Sequence, residues 1–201
     1  MIDIAKLRLE SAKELFRRKE FSFITNGNFP KQEEALHALT NSVHVVVGYG
    51  GAAGGGKSAT GAIWLALTCA TYPGAKGFIA REELKRLCES TLLTFFQMCS
   101  LLGIRRDIDY TYNGQYHYIQ FTNGSRIDLL DAKYMPTDPM YERFGSLEYT
   151  VGWIEEAGEI HNVAYEVLKS RTGRHKNNEL GLVRKLFVTL NPKKKDRKSV
   201  V

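Results

Sequence analysis

Apolar positions along the chain switch between two periods, and the switching predicts the elements. Ile4, Leu7, Leu9, Ala12, Leu15 and Phe16 fall broadly on one side of a helix, which predicts an amphipathic helix over residues 3–20. Residues 21–30 break that pattern around the turn signal Asn26-Gly27-Asn28, and residues 31–40 resume as a short helix. Val43-His44-Val45-Val46-Val47-Gly48 reads as a buried strand. Residues 59–70 return to helical spacing, with Ile63, Leu67 and Ala70 on one side. Lys76–Arg81 predicts a strand and Glu82–Leu102 a long helix. Three short alternating segments follow, 107–112, 116–122 and 126–130, parted by Asn113-Gly114 and Asn123-Gly124. Such pairs favour hairpin turns because both residues tolerate positive φ. Residues 132–147 are irregular, and strands at 148–154 and 185–190 flank a helix at 161–170.

Helices alternating with apolar strands imply an α/β fold, a mostly parallel sheet covered on both faces. The hairpin run then extends one edge as an antiparallel addition. A chain of 201 residues is long enough for one such domain. The division expected is a helix and lead-in over 1–30 and the α/β domain over 31–201. The last strand ends eleven residues before the end of the chain, as expected of a fragment of something longer.

Composition narrows the class. With 43% hydrophobic and 25% charged residues the chain is globular material, not disordered. No apolar run approaches membrane-spanning length, and Met1-Ile2-Asp3-Ile4-Ala5-Lys6 is too charged for a signal peptide. Cys69, Cys88 and Cys99 sit in predicted helices without metal-ligand spacing, which predicts reduced thiols. The net charge of +6 points to an acidic partner, nucleic acid first. Lys193-Lys194-Lys195-Asp196-Arg197-Lys198 supplies much of that excess, which weakens the signal.

The chemistry centres on Gly51-Ala52-Ala53-Gly54-Gly55-Gly56-Lys57-Ser58, followed by Ala59. This matches a phosphate-binding loop at every fixed position, between a predicted strand and a predicted helix. Backbone amides of such a loop turn toward phosphate oxygens at a helix N-terminus. Lys57 would reach the β- and γ-phosphates, and the Ser58 hydroxyl would ligate Mg²⁺. The metal needs a carboxylate opposite Ser58 at the C-terminal tip of another strand. Tyr149–Ile154 ends in Glu155-Glu156, so Glu155 takes the Mg²⁺-linked role and Glu156 orients or deprotonates water. Aspartate is the usual first acid of such a pair, and the extra methylene of Glu155 has to be absorbed. Lys185–Leu190 ends beside Asn191, which makes Thr189 and Asn191 candidates for sensing the γ-phosphate. Upstream, the Gln32 amide suits an adenine edge, and Phe29 can stack on the base.

The order Gln32, Gly51–Ser58, Arg81, Trp153-Ile154-Glu155-Glu156-Ala157 and Thr189-Leu190-Asn191-Pro192 resembles the ATPase domain of tailed-phage terminase large subunits, in a prophage-type branch. The resemblance spans roughly residues 20–192. It implies a RecA-like, additional-strand P-loop fold that hydrolyses ATP with Mg²⁺. Implied too is a motor that drives double-stranded DNA into a procapsid, working in the host cytoplasm. Its partners would be the portal protein and a small terminase subunit, in a homo-oligomeric ring that is a monomer in isolation. Members of the family carry a C-terminal nuclease with no matching sequence here, so this chain is not expected to cleave DNA. An arginine is needed at the γ-phosphate, and residues 52–55 contain none. Arg143 is one candidate, a finger given to a neighbouring subunit; Arg81, at its strand tip, is the other.

Four rivals stand beside this one. A GTPase needs an Asn/Thr-Lys-x-Asp motif and a transporter ATPase a Leu-Ser-Gly-Gly-Gln signature, and neither occurs. A RecA- or helicase-like DNA-dependent ATPase outside packaging shares the loop, the acids and the glutamine. A structural module that binds ATP without hydrolysing it would not require Lys57, Ser58 and Glu156.

Overall fold

The computed structural model describes residues 3–22, 29–40, 43–51 and 54–191. The Asn26-Gly27-Asn28 turn, Ala52, Ala53, Pro192 and the basic segment 193–198 lie outside the described residues. The first helix, α1 (Ile4–Arg18), starts at Asp3, whose carboxylate accepts from the Lys6 amide at 3.0 Å. It ends at Lys19, in the left-handed region at φ 60°. Leu9, Ala12 and Phe16 are buried, whereas Ile4 and Leu7, expected on the same stripe, are 70% and 60% exposed. Helical periodicity marks which side faces inward, but the length of the packing partner sets how much of it is covered.

After α2 (Pro30–Thr40) come β1 (Val46–Gly50), α3 (Lys57–Thr71) and β2 (Lys76–Arg81). The strand expected from Val43 begins at Val46, because pairing with β7 (Lys185–Leu190) sets its register, Val46 opposite Leu186. The long helix expected over 82–102 is a run of Leu84–Arg86, a π-helical turn Leu87–Thr91 and α4 (Leu92–Leu101). Then β3 (Tyr110–Asn113), β4 (Tyr118–Phe121) and β5 (Arg126–Asp131) lead to β6 (Val151–Ile154) and α5 (Asn162–Arg171). The β3–β4 turn is held by Asn113 Oδ1, which accepts from the Gln115 and Tyr116 amides at 3.0 and 2.8 Å.

One seven-stranded sheet results, in the order β1-β7-β6-β2-β5-β4-β3. The five strands from β1 to β5 are parallel to their neighbours, and β4 and β3 continue the edge antiparallel, as the hairpin signals predict. Strand alternation divides the core. Ile79, Val151, Trp153 and Phe187 face α1, α3 and α4, while Phe78, Ala80, Ile154, Leu186 and Val188 pack with Ala164 and Leu168 of α5. The sheet is therefore covered on both faces. Cys69, Cys88 and Cys99 are free thiols, two of them buried. Among the described residues no helix is long and apolar enough to cross a membrane.

Candidate functional site

Because β1, β7, β6, β2 and β5 are parallel, their C-terminal tips share one edge. Gly50, Leu190, Ile154, Arg81 and Asp131 line it up by register. β7 lies between β1 and β6, so the glycine loop and the acidic pair are one strand apart rather than adjacent.

The loop leaves β1 at Gly51 (φ 150°), passes Gly54 (φ 83°) and enters α3 through Gly56 (φ 70°). These are backbone angles that side chains resist, which is why glycine is needed there. Gly56 is the N-cap, and it makes no side-chain capping bond to the start of α3. Tyr49 Oη donates to the Gly55 carbonyl at 3.0 Å, and Lys57 Nζ donates to the Gly51 carbonyl at 3.0 Å. A cleft of about 330 Å³ opens here between Lys31, Tyr49 and the loop. Gln32 lies close by: a Cβ added to Gly56 would stand 1.8 Å from Gln32 Nε2. Phe29 is 54% exposed, and its carbonyl accepts from the Gln32 amide at 3.0 Å.

Period-two alternation carries Trp153 and then Glu155 toward the α3 side of β6. Glu155 is 3% exposed. Its Oε1 accepts from Ser58 Oγ, and its Oε2 accepts from Trp153 Nε1 at 3.1 Å and from Thr189 Oγ1. Burial pushes the Glu155 carboxyl up from its ordinary range; hydrogen bonds from Ser58 and Thr189 oppose that rise, and the charge of Glu156 adds to it. Glu156 then turns away at φ 53°, in the left-handed region. Its amide donates to Thr189 Oγ1 at 3.3 Å, and its Oε1 accepts from Asn191 Nδ2 at 2.7 Å.

Ser58 and Glu155 fit a hard divalent cation. A buried carboxylate held above its usual titration range, with a hydroxyl against one oxygen, is a donor pair that a cation would relieve. Among the described residues no cluster of three His, Cys, Asp or Glu forms a protein-only cage.

The two arginines are placed differently. Arg81 follows Ala80, whose carbonyl accepts from the Glu155 amide at 2.8 Å, and its charge favours the ionised form of Glu155. Arg81 Nη1 donates to Ser90 Oγ at 2.9 Å, and its Nε lies 3.9 Å from Glu159. Arg143 is engaged within its own loop. It pairs with Asp138 at 2.6 Å, donates to the Lys133 carbonyl at 2.6 Å, and lies over the rings of Tyr141 and Phe144.

The fold has solved counterparts. The large terminase of a thermophilic bacteriophage superposes with a TM-score of 0.58 at 13% identity, covering 79% of this chain and 38% of that one. The same terminase in complex with ADP gives 0.56 at 13% identity, covering 80% and 38%. Its complex with ATP-γ-S gives 0.52 at 12% identity, covering 79% and 37%. This is the fold of a phage large terminase. The chain spans less than two fifths of the length of that terminase. No protein-family model matches the sequence, and no curated protein matches it.

The terminase-like frame also exposes what sequence reasoning missed. Trp153 entered the sequence reading only as the first residue of the Trp153–Ala157 string, with no role of its own, and Tyr49 entered it not at all, yet each holds a candidate site residue. Trp153 could have been found as the residue two before Glu155 on the same strand face; nothing in the sequence marks Tyr49.

Proposed function

We propose that this chain is the ATP-hydrolysing motor domain of a phage terminase large subunit, moving double-stranded DNA into a procapsid. The observation that carries the proposal is the convergence on Glu155: Ser58 from the loop, Trp153 from β6 and Thr189 from β7 all donate to one buried carboxylate. That clasp joins a phosphate loop, an acidic strand tip and a third strand that can report hydrolysis.

Lys57 would leave the Gly51 carbonyl for the β- and γ-phosphates, with amides of the 51–58 loop, Ala52 and Ala53 included, completing the cradle. Ser58 and Glu155 would hold Mg²⁺, which neutralises developing charge on the phosphates when bound. Glu156 orients the attacking water and takes its proton. Asn191 and Thr189, bonded to the two acids, would sense the loss of the γ-phosphate and pass it to β7. Gln32 and Phe29 are proposed to select adenine, at the side of the loop where Gln32 already lies. A cation is also required at the γ-phosphate. Arg81 would supply it within the chain, and Arg143 from a neighbouring subunit in a ring. Portal, small subunit and a place in the host cytoplasm belong to the same proposal.

The test is hydrolysis and binding in paired variants. Glu156→Gln is expected to bind ATP normally and to lose about 10²–10⁴-fold in turnover, the scale of a general base. Lys57→Ala is expected to lose binding as well. Normal turnover in Glu156→Gln would sink the assignment of the base. Stimulation by portal-bearing procapsids, rather than by DNA alone, separates packaging from a helicase-like ATPase.

A further inference from the structure

We infer that Trp153 is a positioning residue for Glu155, and that Gly61 is the gap that admits it. Together they let a glutamate serve at a strand tip where aspartate is the usual acid. The inference rests on the proposed ATPase function.

A glutamate has one more rotatable bond than an aspartate, so its carboxylate can swing unless something holds it. Here Oε2 is held twice, by Trp153 Nε1 at 3.1 Å and by Thr189 Oγ1, which leaves Oε1 to face Ser58. The indole itself has little room to move. Trp153 is fully buried, and its ring lies 6.3 Å from that of Phe187. On the α3 side it presses on Gly61, where an added Cβ would come within 2.5 Å of Trp153 Cε2 and 2.7 Å of Cζ2. Any side chain at position 61 would push the indole off, and the N–H with it. Residues 61, 153 and 155 therefore form one chain of contact from the P-loop helix to Oε2 of the carboxylate whose Oε1 faces Ser58.

A plainer account also exists: a buried indole N–H needs an acceptor, and Glu155 happens to be it. The two accounts differ in coupling. If Trp153 acts through Glu155, the variants Trp153→Phe and Glu155→Asp should not be additive. ATP binding is measured by calorimetry with and without Mg²⁺, in wild type, both single variants and the double variant. Trp153→Phe is expected to weaken the Mg²⁺-dependent part of binding by about 10- to 100-fold, the usual effect of losing a ligand's supporting partner. Binding without Mg²⁺ should hold, and the double variant should be no worse than Glu155→Asp. Additive losses, or equal losses with and without Mg²⁺, would overturn the role of Trp153.

Should Trp153→Phe fail to fold, Glu155→Asp decides alone. The shorter acid cannot keep Trp153, Thr189 and Ser58 together, so it is expected to bind Mg²⁺·ATP less tightly than wild type. An Asp variant that binds as well or better overturns the inference. A wild-type chain that binds no nucleotide overturns the ATPase proposal itself, which the wild-type arm shows separately.

Discussion

Asn191 donates from Nδ2 to Glu156 Oε1 at 2.7 Å, so the residue that closes β7 holds the acid that follows β6. If Glu156 orients water, this amide sets the direction of its carboxylate. Asn191→Ala is expected to keep ATP binding and to slow single-turnover hydrolysis, by up to about 10²-fold if the carboxylate shifts by an ångström. Turnover that stays at the wild-type rate would show that Asn191 does not aim the acid.

Thr189 does two jobs with one buried hydroxyl, donating to Glu155 and accepting from the Glu156 amide. Thr189→Val keeps the shape and removes both bonds; the Glu155 carboxylate keeps Trp153 and Ser58, and the Glu156 amide loses its acceptor. The expected cost is about 1–3 kcal/mol for the one group left unsatisfied, read as a fall in thermal midpoint. Thr189→Ser should recover most of it. A valine variant as stable as wild type would mean the hydroxyl contributes nothing there.

Arg143 and Asp138 brace the 131–144 segment, and their pairing makes a pH-dependent prediction. Burial works to raise the Asp138 carboxyl, but hydrogen bonds from the Arg143 side chain and from the Glu142 and Arg143 amides bring it below its ordinary value. A carboxyl lowered in the folded state adds stability above its unfolded value, about 3.9, and loses it as pH falls through the folded value. Asp138→Asn should therefore destabilise the protein at neutral pH, with the gap to wild type closing in acid. Equal gaps at pH 7 and pH 3 would refute the pairing as its source.

The same bracing bears on the arginine at the γ-phosphate. A finger given to a neighbour makes specific activity rise with protein concentration, whereas Arg81 acting within the chain leaves it constant. Arg143→Ala should lower the thermal midpoint whichever arginine acts, because it removes the Asp138 pair and two ring contacts. If specific activity is flat across a hundredfold range of concentration, a trans-acting Arg143 is ruled out.

Most of the frame is legible in the sequence because local periodicity reports local structure. The strands at 76–81 and 185–190, the loop helix and the hairpin edge all lie within a few residues of where their patterns place them. Departures occur where a neighbour decides. Ile4 and Leu7 belong to the apolar stripe of α1, yet both stay largely exposed. Val43 belongs to a β-branched run, yet β7 pairs only from Val46.

The sequence by itself determined that a glycine loop ends in Lys57-Ser58 and that a buried strand ends in Glu155-Glu156, since both are short runs whose chemistry follows from their order. Only the tertiary structure decided that β7 lies between them, so that Thr189 and Asn191 grip the two acids from a strand more than thirty residues away. It decided equally that Trp153 meets Gly61 and that Arg143 is occupied by its own loop. Contacts such as Trp153 with Gly61 join residues distant along the chain, and the Arg143 pairing depends on how its loop turns; both rest on shape and hydrogen-bond direction, which no local pattern encodes.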